Sequence, residues 1–274
     1  MEALKLLQVE TTNNCQSKCI FCPHDSFQEF GNMTDELYTK ILEEAAEIET
    51  IEKFIPMGTG EPFCDPKIMK RVEQACGLLP KVKIVIYTNG GLLTEDILNE
   101  LNSMNGHIHL MVSVNALTAD TRYKIMGLND FDHVMAMVRY LDAKTLLPYC
   151  LSMVDHPLVP DREKSAFCDA KGWLIRYWSF GSKIYPYIRP EGLVCARPQR
   201  YMFVRYTGQV SLCCCDVFGE IELGHLGIQS LKEVWSSAVR QEYARAHTEN
   251  RAHTMKMCKN CGGGRKPFLK KFLP

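Results

Sequence analysis

The sequence lacks any long apolar run. None of its stretches approaches the roughly 18 consecutive apolar residues that a membrane-spanning helix needs. The segment Met1–Thr12 also lacks the basic start and apolar core of a secretory signal peptide. An excess of charge is missing too, since 32 Lys and Arg residues balance 32 Asp and Glu residues. Nucleic-acid binders usually carry a basic surplus. We therefore expect a soluble, cytoplasmic protein whose partners include neither a membrane nor a nucleic acid.

Cysteine, by contrast, is abundant, with 13 residues in the chain. In a reducing compartment thiols rarely persist as disulfides, and metal ligation is the usual reason for clustered cysteines. Seven of the 13 fall into two groups with ligand-like spacing. The remaining six need no metal to explain them, because free cysteine packs readily as a small apolar residue. The cysteines therefore predict two metal centres.

Apolar and amphipathic segments alternate along the first 185 residues. The strand candidates are short and suit a buried parallel sheet; they are Leu4–Glu10, Lys53–Met57, Val82–Tyr87, Ile108–Val114, Tyr149–Val154 and Leu174–Phe180. The helix candidates between them are Asp35–Ile48, Pro66–Leu79, Glu95–Ser103, Phe131–Asp142 and Arg162–Ala170. Thr34 and Thr94 precede acidic residues and are predicted N-caps. This alternation predicts an α/β fold, a partial (β/α)6 barrel with fewer units than a closed eight-stranded barrel.

The pattern changes after about residue 190. Tyr201–Thr207 and Gln209–Cys214 resemble two strands of a β-hairpin that turns at Gly208. A helix is predicted at Leu231–Ala246. We therefore predict a barrel domain at residues 1–185 and a small cysteine-rich domain of a hairpin and a helix at residues 186–274.

The first cysteine group, Cys15, Cys19 and Cys22, follows the first predicted strand. Three thiolates can converge on one metal centre and leave a metal position open, as a catalytic site requires. His24 or Asp25 could instead supply a fourth ligand, which leaves a structural zinc knuckle as an alternative.

The segment CQSKCIFC resembles the cysteine motif of the radical S-adenosylmethionine (SAM) superfamily, with the aromatic Phe21 just before Cys22. The resemblance implies that the three cysteines hold a 4Fe–4S cluster and that SAM chelates its open iron. One electron, from a flavodoxin or ferredoxin, would cleave SAM to methionine and a 5′-deoxyadenosyl radical. That radical would abstract a hydrogen atom from a second substrate.

Further motifs of that family follow later strands. The segment MGTGEP resembles the family's GGE motif, with Thr59 in place of the first glycine. The resemblance implies that this loop holds the amino group of SAM and that polar residues at later strand ends hold its carboxylate and ribose. The cofactor-binding residues implied in this way are Phe21, Thr59, Gly60, Glu61, Pro62, Thr88, Asn89, Ser113 and Asn115.

The second cysteine group is Cys195, Cys213, Cys258 and Cys261. A structural zinc ribbon uses four cysteines in this way. The spacing also resembles that of a shortened SPASM domain, called a twitch domain, which implies one auxiliary 4Fe–4S cluster with four cysteine ligands. Cys215 could replace Cys213, because the two would share one face of the predicted strand. We predict that Cys213 is the ligand.

The cysteine layout is similar to that of radical SAM enzymes of the 2-deoxy-scyllo-inosamine dehydrogenase type. This resemblance implies oxidation of a secondary alcohol on a small sugar-like or aminocyclitol substrate, with the auxiliary cluster as electron acceptor. A base must take the hydroxyl proton, and the candidates are Lys183, Arg176, Arg189, His156 and Asp155.

Three alternatives remain open. A sugar or peptide epimerase would need a cysteine hydrogen donor, for which the candidates are the spare cysteines Cys64, Cys150, Cys168, Cys214 and Cys215. An enzyme that modifies a ribosomally made precursor peptide is the second alternative, although no extra N-terminal peptide-recognition domain is evident. A non-catalytic protein with two structural zinc sites is the third.

Overall fold

Nine strands form one sheet in the described part of the computed structural model, which comprises residues 4–169, 173–176 and 188–262. The strands are β1 (Leu6–Val9), β2 (Lys53–Ile55), β3 (Lys83–Thr88), β4 (Ile108–Ser113), β5 (Tyr149–Asp155), β6 (Trp173–Arg176), β7 (Tyr201–Val204), β8 (Gln209–Ser211) and β9 (Glu222–His225). Their order is β6-β5-β4-β3-β2-β1-β7-β8-β9. Strands β1 to β6 pair in parallel, β7 pairs in parallel with β1, and β8 and β9 continue antiparallel.

The helices of the same described residues connect and flank the strands. They are α1 (Asp35–Ala46), α2 (Ile68–Leu78), α3 (Glu95–Ser103), α4 (Ala119–Met126), α5 (Phe131–Lys144), α6 (Asp161–Asp169), α7 (Arg197–Arg200), α8 (Leu231–Trp235) and α9 (Ala238–Thr248). The side chains of Thr34 and Thr94 accept hydrogen bonds from backbone N–H groups one turn later, which confirms both predicted N-caps.

The two faces of the parallel strands have different surroundings. On one face Leu7, Phe54 and Ile84 pack with helix residues such as Tyr38 and Val134 in the main hydrophobic core. Because successive strand residues point to opposite faces, the other face carries a more polar set outside that core. We call this the inner face; its residues include Gln8, Ile55, Val85, Tyr87, His109, Met111, Ser113, Cys150 and Ser152.

Strands β6 and β9 are the two edges, so the sheet does not close on itself within the described residues. The α/β class and the partial barrel predicted from the sequence are confirmed. The C-terminal hairpin does not stand apart from the barrel, because β7 pairs with β1 and extends the same sheet. Within the described chain, no helix has both the length and the apolar character required to cross a bilayer.

Several predicted elements are wrong in extent, and three elements of the structure were missed. The predicted helix Leu231–Ala246 is broken into α8 and α9, because the side chain of Ser237 caps the second helix by accepting from the Arg240 N–H. Strand β7 ends at Val204 rather than at Thr207, and β8 ends at Ser211 rather than at Cys214. Helices α4 and α7 and strand β9 had no prediction. Part of the strand predicted at Leu174–Phe180 lies outside the described residues, as does Ala170.

Candidate active site at the strand ends

The loop after β1 carries Cys15, Cys19 and Cys22, all half-buried. Backbone bonds fix this loop against the end of α4: Lys18 N donates to Met126 O at 2.9 Å, and Ile20 N donates to Ile125 O at 3.1 Å. Phe21 and Cys19 pack on a second, smaller core that contains Met126. The three thiols are thus held together by the fold, and Phe21 supports the loop by packing.

Burial and mutual repulsion both disfavour ionisation of these three thiols. Burial raises the pKa of Cys15 to about 12 and that of Cys22 to about 11, and it raises the pKa of Cys19 as well. The charge of Cys22 raises the pKa values of Cys15 and Cys19 further. Iron binds the thiolate form and provides the opposing positive charge, so this donor set fits an iron–sulfur cluster.

A site for a single metal ion has a different geometry, because all of its ligand atoms must lie about 2 Å from the same ion. Among residues 4–169 and 188–262, no three His, Cys, Asp or Glu side chains are arranged to hold one ion. A four-iron cluster binds each thiolate through a separate iron.

The loop Thr59–Pro62, after β2, packs directly on the chain that leads to Cys15. Glu61 N donates to Asn14 O at 2.8 Å. At Gly60, an added Cβ would lie 2.5 Å from Thr12 O and 2.6 Å from Asn14 O, both backbone atoms that cannot move aside cheaply. Glycine is therefore required at this position by backbone packing.

The Glu61 side chain joins this loop to the end of β3. Its Oε1 accepts from Thr88 Oγ1, and its Oε2 accepts from Asn89 N, both at 2.7 Å. Burial raises the pKa of this carboxyl to about 7, although these hydrogen bonds oppose the rise. Three of the cofactor-binding residues implied by the sequence are thus in direct contact.

Ser113 and Asn115 lie at the end of β4. Ser113 Oγ is 3.2 Å from Ser152 Oγ on β5. Asn115 has a φ of 59°, a left-handed conformation that Asn tolerates better than most residues. Its Oδ1 accepts from Val154 N at 2.8 Å. The structure therefore places Thr88, Asn89, Ser113 and Asn115 at one edge of the sheet, as parallel strands require.

Arg122 was not singled out by its sequence context, yet it holds this edge together. Its guanidinium is fully buried and pairs with both oxygens of Asp130, Nε to Oδ1 at 2.5 Å and Nη2 to Oδ2 at 3.0 Å. It also donates to Asn89 O and Val114 O, both at 2.8 Å. One side chain thus fixes the ends of β3 and β4. A single sequence cannot reveal these two strand contacts, because the acceptors are backbone carbonyls that only the fold brings together.

We expect Arg122→Met to lower the free energy of unfolding by about 3 kcal/mol, because it leaves the Asp130 carboxylate and two carbonyl groups without their donor. The matched control is Lys124→Ala on the same helix. Its exposed pair with Asp120 contributes about 0.5 kcal/mol or less. Urea denaturation followed by circular dichroism compares the two variants. Equal losses in both would contradict the assigned role of Arg122.

The second cysteine group is also brought together. Cys195 N donates to His247 Nδ1 at 3.0 Å, and Arg189 Nε donates to Cys258 O at 2.7 Å. Burial raises the pKa of Cys258, and the charges of Cys213, Cys261 and Cys195 raise it further. Four mutually repelling thiols in a buried site form a donor set that fits an iron–sulfur cluster.

The three consecutive cysteines 213 to 215 lie beyond the end of β8. Cys213 and Cys215 therefore do not share a strand face as predicted, because this segment is a turn and not a strand. The neighbouring thiols of Cys213, Cys214 and Cys261 nevertheless raise the pKa of Cys215, so both Cys213 and Cys215 lie close to the other candidate ligands.

Cys214 points to a different environment. The neighbouring side chains of Cys215 and Tyr201 and the charge of Arg197 lower its pKa. On the inner face, burial raises the pKa of Tyr87 and the charges of Cys214 and Cys150 raise it further. Cys214 therefore lies beside the inner face of the barrel.

The two cysteine groups flank that inner face. The triad follows the carboxyl end of β1, whereas Tyr201, which contacts Cys214, pairs with Leu6 at the opposite end of β1. Between them Tyr201 Oη donates to Gln8 Oε1 at 2.6 Å. A molecule bound at the inner face would lie between the two cysteine groups.

The candidate bases are less well placed. Lys183 lies outside the described residues, and only the backbone of Arg176 is described. Arg189 donates to the carbonyls of Cys258 and Leu193, and Asp155 pairs with Lys164 at 3.0 Å. His156 follows β5, where its Nδ1 accepts from Leu158 N.

Comparisons with known proteins agree with this arrangement. The model of the radical SAM superfamily matches residues 9–167, and that of an iron–sulfur cluster-binding domain, SPASM, matches residues 195–262. A S-adenosyl-L-methionine-dependent 2-deoxy-scyllo-inosamine dehydrogenase from Niallia circulans is 20% identical over 258 residues, which cover 93% of this chain and 92% of that protein.

Solved structures share the fold. The crystal structure of BtrN in complex with AdoMet and 2-DOIA superposes with a TM-score of 0.74 at 20% identity, covering 96% of this chain and 95% of that one. Streptococcus suis SuiB bound to precursor peptide SuiA gives a TM-score of 0.71 at 15% identity, covering 97% of this chain and 72% of that one. With the superfamily model matching more than half of its residues, this chain belongs to the radical SAM superfamily and is a radical SAM enzyme with a SPASM domain.

Proposed function

We propose that this enzyme oxidises a secondary alcohol of a small polyhydroxylated substrate, a sugar or an aminocyclitol, to a ketone. Two 4Fe–4S clusters are part of the proposal, one on the triad and an auxiliary one on Cys195, Cys213, Cys258 and Cys261. The observation that carries it is the inner face between the two cysteine groups. A substrate there lies between the hydrogen-abstracting site and an electron acceptor.

The inner face suits a neutral, hydroxyl-rich molecule. Its side chains include an amide, hydroxyls and an imidazole, which both donate and accept hydrogen bonds; these are Gln8, Tyr87, His109, Ser113 and Ser152. Such groups recognise hydroxyls through paired hydrogen bonds, and each one left unpaired in a buried site is costly. This supports a polar substrate over an apolar one.

When bound, SAM and the clusters supply the hydrogen-abstracting radical and take up the remaining electron. The chain must orient SAM, and the polar edge formed by Glu61, Thr88, Asn89, Ser113 and Asn115 is proposed to do so. The chain must also accept the hydroxyl proton, and Lys183 remains the proposed base. A flavodoxin or ferredoxin is proposed as the electron donor.

His109 is a second candidate for that proton. Its Nε2 lies 3.4 Å from Cys150 Sγ on the inner face. Burial lowers the pKa of this imidazole, and the charges of Lys83 and Lys53 lower it further. The imidazole is therefore neutral near pH 7 and able to accept a proton.

Epimerisation is the competing function, with Cys214 as hydrogen donor. The position of Cys214 beside the inner face favours this role.

One experiment separates these functions. The anaerobically reconstituted protein is incubated with SAM, dithionite and sugars or aminocyclitols deuterated at each carbinol carbon. Transfer of deuterium to 5′-deoxyadenosine supports the dehydrogenase if the product has also lost the carbinol deuterium and the hydroxyl hydrogen, as oxidation of an alcohol to a ketone requires. A product that gains hydrogen from solvent at that carbon indicates an epimerase, and deuterium transfer only from a precursor peptide indicates peptide modification.

SAM binding should also depend on pH through Glu61, whose pKa of about 7 leaves the carboxyl protonated in acid. Because an ionised carboxylate favours the SAM amino group, we expect SAM affinity to fall as pH drops below about 7, by up to about tenfold per pH unit. The stability of the SAM-free protein depends on the pH in the opposite direction. The native state retains a proton that the unfolded chain releases, so this group's contribution to stability falls as pH rises from about 4.5 through about 7.

Equilibrium binding of SAM at pH 6 and pH 8 measures this effect. The matched control is Glu61→Gln, which cannot titrate and should lose most of the pH dependence. The same slope in both proteins would assign the dependence to the SAM amino group or to the cluster thiols instead.

A further inference from the structure

Glu10 is a buried carboxylate at the carboxyl end of β1, only 1% exposed and five residues before Cys15. Its Oε1 accepts hydrogen bonds from Thr59 N at 2.9 Å and from Thr59 Oγ1 at 2.5 Å. Its Oε2 accepts from Tyr206 N at 3.2 Å. One carboxylate therefore contacts both the Thr59–Pro62 loop and the C-terminal half of the chain.

The contact with the loop explains an unusual residue. Thr59 stands where the resembled motif has glycine, which would leave Glu10 with only a backbone donor there. The threonine hydroxyl gives the same carboxylate oxygen a second donor. The preceding residue packs equally closely, since a Cβ added to Gly58 would lie 2.5 Å from Glu10 Cβ. Gly58 and Thr59, two consecutive residues, thus both pack directly against the Glu10 side chain.

The contact with Tyr206 reaches the hairpin that precedes Cys213. Tyr206 lies in the turn between β7 and β8, which Gly208 N closes by donating to Arg205 O at 2.8 Å. Its ring packs against Gly31, where an added Cβ would lie 2.8 Å from Tyr206 Cε2. Phe218, beyond β8, contacts Phe27 with ring centroids 5.3 Å apart. The hairpin turn is therefore pressed against the loop that carries the triad.

A buried carboxylate is costly unless donors surround it. Burial raises the pKa of Glu10, while the bonds from Thr59 and Tyr206 and the charge of Arg205 oppose that rise. Loss of any of these donors would leave the carboxylate under-solvated, so the loop and the hairpin turn depend on each other through it.

We propose that Glu10 is a positioning residue that couples the SAM-binding loop to the hairpin of the auxiliary-cluster site, so that the geometry of each depends on the other. This inference rests on the proposed role of the Thr59–Pro62 loop in binding SAM. It does not require an alcohol substrate.

The test compares Glu10→Gln and Thr59→Val with wild type in the reconstituted protein. Gln cannot accept at both positions, and Val keeps the shape of Thr59 without its hydroxyl. We expect each to raise the Kd and the KM for SAM about tenfold, with a smaller change in kcat and with iron content retained. The matched control, Thr50→Val, removes a hydroxyl bonded to Leu4 O at 2.9 Å near the opposite end of β1 and should leave both constants unchanged.

Hydrogen exchange at the Tyr206 amide provides the decisive readout. In wild type, SAM should slow this exchange, although Tyr206 belongs to the hairpin and not to the SAM loop. In Glu10→Gln the response to SAM should disappear, and Thr59→Ser, which keeps the hydroxyl, should restore the protection that Thr59→Val loses. If Glu10→Gln loses iron, the comparison of Thr59→Val with Thr59→Ser still tests the proposal.

The proposed coupling would be overturned by an unchanged SAM affinity in Thr59→Val. It would also be overturned if SAM did not change the hydrogen-exchange rate of the Tyr206 amide in wild type. Failure of the proposed function has a different signature. Wild type would then bind and cleave SAM, and show the Tyr206 response, while oxidising no alcohol.

Discussion

Replacing Cys15, Cys19 and Cys22 together with alanine should reduce 5′-deoxyadenosine formation to background. The three thiols are the ligands proposed for the cluster that reduces SAM, and without them no iron can present an open position. Iron should fall from about eight to about four per chain, since four-iron clusters are expected at both sites. The protein should remain folded, because none of the three cysteines belongs to the main core.

Cys76→Ala is the matched control. Cys76 is also a cysteine and is 5% exposed, but it lies on α2 within the main core, away from both cysteine groups. Its loss should reduce stability slightly and leave iron content and SAM cleavage intact. Residual 5′-deoxyadenosine in the triple variant would show that the triad is not the site of SAM cleavage. Zinc in place of iron at both sites of the wild type would revive the structural zinc alternative.

Replacing Cys258 and Cys261 together with alanine should separate SAM cleavage from substrate oxidation. The triad lies at the other end of the inner face, so 5′-deoxyadenosine should still form. Oxidation of the alcohol should fall to background, because the electron left on the substrate would lack its acceptor. Product analysis and iron content measure the two effects, and iron should again fall to about four per chain.

The same assay decides between Cys213 and Cys215, which the turn after β8 holds close together. Cys213→Ala should lose the auxiliary cluster, whereas Cys215→Ala should retain it. Full iron in Cys213→Ala with loss in Cys215→Ala would reverse the assignment. Alcohol oxidation that survives the loss of Cys258 and Cys261 would remove the auxiliary site from the proposed reaction.

Much of this fold follows from local patterns. Helix α3 begins and ends where predicted, because Thr94 caps it and Glu95 and Asp96 fill its first turn. The strands from β1 to β5 were located within a few residues, since each places apolar residues on the face that packs in the main core. The division of the helix at Ser237 was missed, because whether a serine caps a new helix or continues an old one depends on its neighbours in space.

The sequence by itself determined the family and the candidate ligands. Cys15, Cys19 and Cys22 are close in sequence, so their spacing alone brings three thiols to one loop. The motif around Glu61 follows the next strand of a parallel sheet, and parallel strands present their carboxyl ends at one edge.

The tertiary structure alone decided which residues hold that site in shape. Arg122 binds backbone carbonyls at the ends of two strands. Glu10 contacts both Thr59, 49 residues away in the chain, and Tyr206, 196 residues away. Neither contact has a sequence signature, because a buried charge is stabilised by whichever donors or acceptors the fold brings to it. The position of Cys214 beside the inner face likewise depends on the pairing of β7 with β1, a contact between distant segments that no local pattern specifies.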